Sequence, residues 1–285
     1  MTFDMRDLPQ PSGPFEWVQA PAGPALVCQP LAETAQHLYT TRHWALGRQT
    51  GCEETEAWAG VAMAIGIDPG LLVRAHQVHG TNVVVATAED RNRHATDEAD
   101  IIVSHAPVHA LAIQVADCVP LLIADRANGA IAAAHAGWRG LAARVPSTVV
   151  AALRRQFGSR PGDLVAAIGP SIGACCYEVG ADVLQRFQRA GFGFDRLEQW
   201  FQSKPTPSDR NPSMPGLAPP REEHWFFDGW SAARDQLVGA GVPEAQVFVA
   251  ELCTASHAGA LCSYRRDGSP AGRLAAVIRR GPRRP

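Results

Sequence analysis

The stretch VPLLIADRANGAIAAAH, residues 119–135, decides the reading of this chain. Two short apolar runs, 119–124 and 130–134, flank a turn from Asp125 to Gly129 that contains Asn128-Gly129. Asn-Gly between apolar runs is a strong hairpin signal. If residues 124 and 129 pair across the turn, 118 faces 135, and a slip of two residues still leaves them near neighbours. Directly opposed residues of an antiparallel pair have Cβ atoms about 5 Å apart. The hairpin therefore sets Cys118 beside His135 at its open end. A thiolate and an imidazole that close can share a metal ion or a proton.

Working outward, IIVSH (101–105) and ALAIQV (110–115) precede the hairpin as short, branched, apolar strands, and NVVVATA (82–88) precedes those. A helix is expected over 53–65, stopped by Gly66 and the Asp68-Pro69-Gly70 turn. After the hairpin the period changes: Leu141, Val145, Val149, Leu153 and Phe157 recur at every fourth place, the mark of one helix face, with Pro146 in its first turn. LVAAI (164–168), VFVA (247–250) and LAAVI (274–278) read as strands, and 182–190 and 230–241 as helices. Residues 1–24 read as a loose Pro- and Gly-rich arm, 203–223 as a long Pro-rich surface loop, and 281–285 as a basic tail. The expected fold is a single α+β domain, 25–280, with a mixed β-sheet flanked by helices.

A net charge of -2 gives no basic field for nucleic acid. Arg279, Arg280, Arg283 and Arg284 read as a solvated tail rather than a binding patch. No apolar run is long enough to span a bilayer, and the first residues lack a basic start followed by an apolar run. The seven cysteines are odd in number and irregular in spacing. Reduced thiols in a cytoplasmic protein acting on small molecules are therefore expected.

Three places carry chemistry: His76-Gln77-Val78-His79-Gly80, Ala116-Asp117-Cys118-Val119-Pro120 and His135-Ala136-Gly137-Trp138-Arg139-Gly140. A catalytic zinc site uses three protein ligands and keeps a position for water or substrate. The third ligand beside Cys118 and His135 is His79 or His76, and spacing does not choose between them. Nor does it separate a metal pair from a Cys118–His135 nucleophile pair. Asp117 is a candidate acid–base group if the strand breaks there, and otherwise points to the opposite face. Arg139, at the start of a helix, suits an anion. Arg265 and Arg266, in Ser263-Tyr264-Arg265-Arg266-Asp267-Gly268, suit phosphate or carboxylate. IGPSIG (168–173) and CCYEVG (175–180), which holds Tyr177, look like site walls. Adjacent Cys175 and Cys176 are poorly placed for a mutual disulfide.

Read together, QVHG (77–80), EADIIVS (98–104), ADCVPLLIAD (116–125), HAGWRGL (135–141), IGPSIGACCYEVG (168–180), FDGWSAARDQL (227–237), CT (253–254) and SYRRDGSPAGR (263–273) resemble the YfiH-type family, also called the laccase-domain or polyphenol oxidase family. The resemblance runs from about residue 37 to 278. It implies a single YfiH/CNF1-like α+β domain with metal ligands at His79, Cys118 and His135, the metal being zinc, or copper. It implies phosphorolysis of adenosine, inosine, guanosine and methylthioadenosine, and deamination of adenosine, with nucleoside and phosphate as the partners. Substrate contacts then fall to Gln77, Arg139, Tyr177, Arg265, Arg266 and Arg42, and catalysis to Cys118, His135 and Asp117. Some relatives are called copper-dependent laccases, and some bacterial members are linked to peptidoglycan precursor editing, where a Cys–His hydrolase is the alternative chemistry. The chain departs from the family in three places. Tyr39-Thr40-Thr41-Arg42 matches a start that ordinarily continues with two glycines, where this chain has His43-Trp44. Residues 203–223 are longer than the family needs, and Gly229 stands where leucine is common.

Overall fold

The computed structural model describes residues 5–47, 52–90 and 96–281. In chain order its strands are β1 (Phe15–Ala20), β2 (Gly23–Cys28), β3 (Ala35–Thr40), β4 (Leu72–Val73), β5 (Val83–Ala86), β6 (Ile101–Ser104), β7 (Ala110–Val115), β8 (Val119–Asp125), β9 (Ile131–Ala136), β10 (Leu164–Ile168), β11 (Glu178–Gly180), β12 (Phe201–Gln202), β13 (His224–Phe227), β14 (Val247–Val249) and β15 (Leu274–Arg280). The helices are α1 (Gln29–Ala32), α2 (Cys52–Ala64), α3 (Trp138–Ala142), α4 (Val145–Phe157), α5 (Ala181–Arg189), α6 (Phe194–Trp200), α7 (Gly229–Gly239) and α8 (Tyr264–Asp267).

The domain is α+β with mixed sheets, and the strands divide between two six-stranded sheets rather than one. Their orders are β1-β2-β3-β15-β7-β4 and β14-β10-β8-β9-β6-β5, with a small third sheet β11-β13-β12. The two large sheets pack face to face. Between them Leu111, Ile113, Leu274, Ala276 and Ile278 of the first meet Ile102, Leu122, Ala133, Val165 and Ala167 of the second. The central strands also bury their other face: Ala110, Ala112, Ala275 and Val277 lie under α2, while Leu121, Ile123, Ala132, Ala134 and Ala166 lie under α4 and α7. Burial on both faces explains why these strands read as continuous apolar runs rather than alternating ones. Four layers result: helix, sheet, sheet, helices.

The structure corrects four further expectations. The expected loose arm contains β1 and half of a β1–β2 hairpin, paired from Phe15↔Cys28 to Ala20↔Gly23. Its Pro and Gly mark the turns of a strand pair. The periodic run 141–157 is two helices, α3 and α4, broken at Arg144, which has φ of 64°. A continuous helix would drive the Pro146 ring against the Ala142 carbonyl, so the chain restarts and Pro146 sits in the first turn of α4. Arg279 and Arg280 end β15 instead of joining a tail. Arg279 donates to the carbonyls of Ile65 and Gly66, and Arg280 to those of His105 and Asn128. Arg283 and Arg284 lie outside the described residues. The hairpin register runs Val119↔Ala136, Pro120↔His135 and Ala124↔Ile131, two residues from the simplest pairing. Asp125 and Gly129 close the turn between themselves, through the Gly129 N–H to Asp125 O bond at 2.9 Å.

Residues 203–223 carry no helix or strand. The loop is anchored inward by Asn211, which is 6% exposed and bonds Cys253 N and Glu251 O. Among the described residues no helix is long and apolar enough to cross a membrane.

Candidate metal centre

The site forms at the rim of the sandwich, where the chain crosses between sheets. His79 lies between β4 of the first sheet and β5 of the second. Asp117 and Cys118 lie in the three-residue crossing from β7 to β8, and His135 is near the end of β9. The ligand atoms of His79, Cys118 and His135 lie within 4.8 Å of one another. Cys118 Sγ is 3.9 Å from His79 Nε2. The two imidazoles meet edge to face at 4.8 Å between centroids.

Left-handed backbone at two non-glycine positions builds this arrangement. His79 has φ of 60° and Asp117 has φ of 88°. Such conformations are strained for ordinary residues and persist where the surroundings hold them. At Asp117 the strain breaks the strand alternation, so Asp117 and Cys118 both line one cavity. His76 stays in a backbone ladder with Asp97 and Ala99. The structure thus brings His79, not His76, to the other two ligands.

Asp100 organises the centre. Fully buried, it accepts hydrogen bonds from the backbone N–H groups of Val78, His79 and Gly80, at 3.3, 3.0 and 2.6 Å, and from His135 Nδ1 at 2.7 Å. Burial alone would raise its pKa, but His135 and these N–H groups hold it below the ordinary carboxylate value. With Nδ1 donating to Asp100, His135 is left to present Nε2 to the site. This carboxylate–histidine relay is the usual outer support of a metal-bound imidazole.

Electrostatics within the trio follow from contact. Burial would raise the Cys118 thiol, but His135 and the hydrogen bonds with His135 and His79 bring it down to about 6. Burial would lower His135, but the Cys118 sulfur and Asp100 push it up to about 9. Both shifts run toward the charged forms, a thiolate beside an imidazolium, when no metal is bound.

The donor set fits a tetrahedral ion. Zinc with sulfur at about 2.3 Å and nitrogen at about 2.05 Å sets S···N near about 3.5 Å, close to the 3.9 Å present. Glycine at 137 leaves the space. A Cβ there would lie 2.9 Å from Cys118 Sγ and 3.0 Å from His79 Cδ2.

The centre opens into a cavity of about 400 Å³ lined by Gln77, Gln114, Tyr177, Tyr264, Arg265 and Arg273 as well as the trio and Asp117. That volume lies within the range of small-molecule pockets. The guanidinium of Arg265 lies 4.9 Å from the Tyr177 ring centre and donates to Glu178 O at 2.7 Å.

The other expected site residues fall as follows. Gln77 lines the cavity, but its amide pairs with both main-chain groups of Gln114, at 2.7 and 2.8 Å, and so fixes the His79 loop. Both oxygens of Asp117 are taken, Oδ1 by Thr254 Oγ1 and Oδ2 by the Arg265 N–H, each at 2.6 Å. Burial raises its pKa against those bonds. Asp117 thereby staples the Arg265 segment to the site. Arg139 is exposed with its guanidinium over Trp138, outside the cavity lining. Arg266 is turned inward and spent on Asp267 and the carbonyls of Thr254, Ala255 and Leu261. Arg42 donates to Ala258 O and also lies outside the cavity lining.

Asp100 and Gly137 are two positions at the centre that residue spacing does not single out. An aspartate before a strand looks like an ordinary cap, and only the folded chain joins it to His135, 35 residues away.

A two-sheet α+β domain with an open His–Cys–His centre beside a small-molecule cavity is what the fold and the site define. Residues 53–281 match the family described as multi-copper polyphenol oxidoreductase laccase, and the chain belongs to that family, as its motifs anticipated. The chain is 34% identical over 218 residues to a protein of Bacteroides thetaiotaomicron named purine nucleoside phosphorylase, covering 74% of this chain and 73% of that one. It is 32% identical to adenosine deaminase RL5 of an unknown prokaryotic organism, over 75% of this chain and 76% of that one. Among solved structures, Bacillus licheniformis hypothetical protein YfiH superposes with a TM-score of 0.80 at 26% identity, covering 95% of this chain and 100% of that one.

Proposed function

We propose that this chain is a zinc-dependent purine nucleoside phosphorylase that also deaminates adenosine at the same centre. The observation that carries the reading is the convergence of His79, Cys118 and His135 on a cavity that also presents aromatic and guanidinium groups. The relatives named above support the reaction class. One thiolate and two imidazoles suit zinc, and suit copper next. When bound, zinc polarises a phosphate oxygen or lowers the pKa of a water.

The chain's own residues do the rest. Asp100 fixes the His79 loop and the His135 tautomer, so the donors are set before metal arrives. Tyr264, 56% exposed at the mouth, offers a flat face to a purine. Arg265 and Arg273 supply the positive charge that phosphate needs, a role better placed on them than on Arg266, Arg139 or Arg42. Asp117 holds Arg265 in register.

The test is Cys118→Ala, assayed for zinc content and for free purine base released from adenosine and inosine with phosphate. Both signals should vanish together, and an active, metal-free variant refutes the proposal. The thiolate beside an imidazolium favours one second reading, a metal-free Cys118–His135 hydrolase. Full activity in chelated protein would move the conclusion there. Oxidation of a phenol by copper-loaded protein would instead favour the laccase reading.

A further inference from the structure

Cys175, Cys176 and Cys253 form a second cluster behind the centre. All three are buried, and their sulfurs lie within 4.8 Å of one another. Cys175 and Cys176 are neighbours in the turn after β10, with sulfurs 3.5 Å apart. Cys253 is brought in by a bridge between its own segment and Ser171. Ser256 Oγ stands 3.5 Å from Cys175 Sγ and 3.5 Å from Cys176 Sγ. The sulfurs also accept main-chain hydrogen bonds, Cys253 from Gly173 N–H at 3.3 Å and Cys176 from Met214 N–H at 3.2 Å.

We infer that these residues form a second, sulfur-rich metal site for a thiophilic divalent d10 cation, zinc in the cell, held by Cys175, Cys176 and Cys253 with Ser256 Oγ as fourth ligand. The spacing carries the inference. A tetrahedral ion with sulfur at about 2.3 Å and oxygen at about 2.0 Å sets S···S near about 3.8 Å and S···O near about 3.5 Å. Cys175 Sγ and Cys176 Sγ stand 3.5 Å apart and each 3.5 Å from Ser256 Oγ, while Cys253 Sγ lies within 4.8 Å of both sulfurs, a distance that a short side-chain rotation closes. N–H donors to sulfur stabilise thiolates, as outer supports of metal ligands do. Three thiolates around a divalent ion leave one negative charge. The Gly173 and Met214 N–H groups point at that charge, and Arg266, paired with Asp267, braces the Cys253 segment through the carbonyls of Thr254 and Ala255 at 2.8 and 3.2 Å.

This assignment gives the Pro-rich loop 203–223 a purpose. Asn211 Oδ1 accepts from Cys253 N–H, Ser213 Oγ donates to Cys175 O, and Pro212 O accepts from Ser256 Oγ. The loop wraps the cluster and supplies one of its N–H donors. A cleft lined by Cys175, Asn211, Asp228, Trp230 and Glu251 opens beside it and gives an ion a way in. The site is structural in character, since its ligands do not line the cavity of His79, Cys118 and His135. It ties the turn after β10, the Cys253 segment and the loop together behind Asp117, whose Oδ1 is bonded to Thr254.

Full-length protein, reduced and stripped with a chelator under anaerobic conditions, is titrated with Cd(II), and the thiolate-to-cadmium absorption is read. Wild type should take two equivalents, and Cys118→Ser and Cys253→Ser one each. The absorption retained by Cys118→Ser should be about threefold that retained by Cys253→Ser. If instead only the His79 centre is misread, wild type takes one equivalent and Cys253→Ser takes none. A Cys253→Ser protein that binds as much as wild type overturns the inference, as does a disulfide in this trio that excludes metal. Should Cys253→Ser fail to fold, Cys175→Ala repeats the test. X-ray absorption of zinc-loaded Cys118→Ser then reads the site directly. A shell of three sulfurs supports the inference, and a nitrogen- and oxygen-dominated shell, or no zinc, overturns it.

Discussion

Gly137→Ala separates the metal centre from the fold. A Cβ at residue 137 would sit 2.9 Å from Cys118 Sγ, 3.0 Å from His79 Cδ2 and 3.7 Å from His79 Nε2. Ordinary contact begins at about 3.5 Å, so the sulfur must retreat by about 0.6 Å and the imidazole by about 0.5 Å. Metal sites tolerate ligand displacements of about 0.2 Å. Both ligands are pinned, His79 by Asp100 and Cys118 by β8, so neither can yield cheaply. Zinc affinity should fall by at least about 100-fold, or about 2.8 kcal/mol. The backbone at Gly137, φ -66° and ψ 173°, is open to alanine. As the N-cap of a five-residue helix it costs about 1 kcal/mol to replace. The clash adds about 1 to 2 kcal/mol of overpacking in the metal-free protein, so its melting temperature should drop by about 5 °C. The assay is zinc competition against a chromogenic chelator, with thermal unfolding of metal-free protein alongside. Wild-type zinc affinity in Gly137→Ala would refute the placement of Cys118 and His79 around one ion.

Asp100→Asn keeps the shape but sets an amide against the Gly80 N–H and removes the charge behind His135. Zinc affinity should fall about 10- to 100-fold and stability by about 2 kcal/mol, read by chelator competition and urea unfolding; an unchanged affinity counts against the relay. In metal-free protein, alkylation of Cys118 by iodoacetamide should rise with pH around a midpoint of about 6 and stay level through neutrality. The sign follows from the thiolate being the nucleophile, and a midpoint near the ordinary thiol value of 9.0 excludes the thiolate–imidazolium pair. Gly169→Ala places a Cβ 2.2 Å from Tyr39 Cε1, a side chain held between the sheets by its bond to Ala167 O. Overpacking of this kind should cost about 3 kcal/mol in urea unfolding, partly recovered by adding Tyr39→Leu; additive losses would show that the two do not touch.

Much of this was legible in the chain as written. Buried strands such as VPLLIAD and LAAVI announce themselves by continuous apolar runs, and Asn128-Gly129 fixes a hairpin, because both signals are local. The hairpin alone made Cys118 and His135 neighbours, and a two-residue error in register did not harm that inference, since it preserves which face each side chain takes. Tertiary contact decided the rest. Whether His79 or His76 turned inward depended on a carboxylate 21 residues further on, Asp100, which grips the His79 loop through three N–H groups. The division of one expected sheet into two depended on burial of both strand faces, which composition reports but does not apportion. Arg266 and Arg265 are adjacent and chemically equal in the sequence. One is consumed by carbonyls and the other faces the cavity, because only the folded chain shows which backbone groups each guanidinium meets.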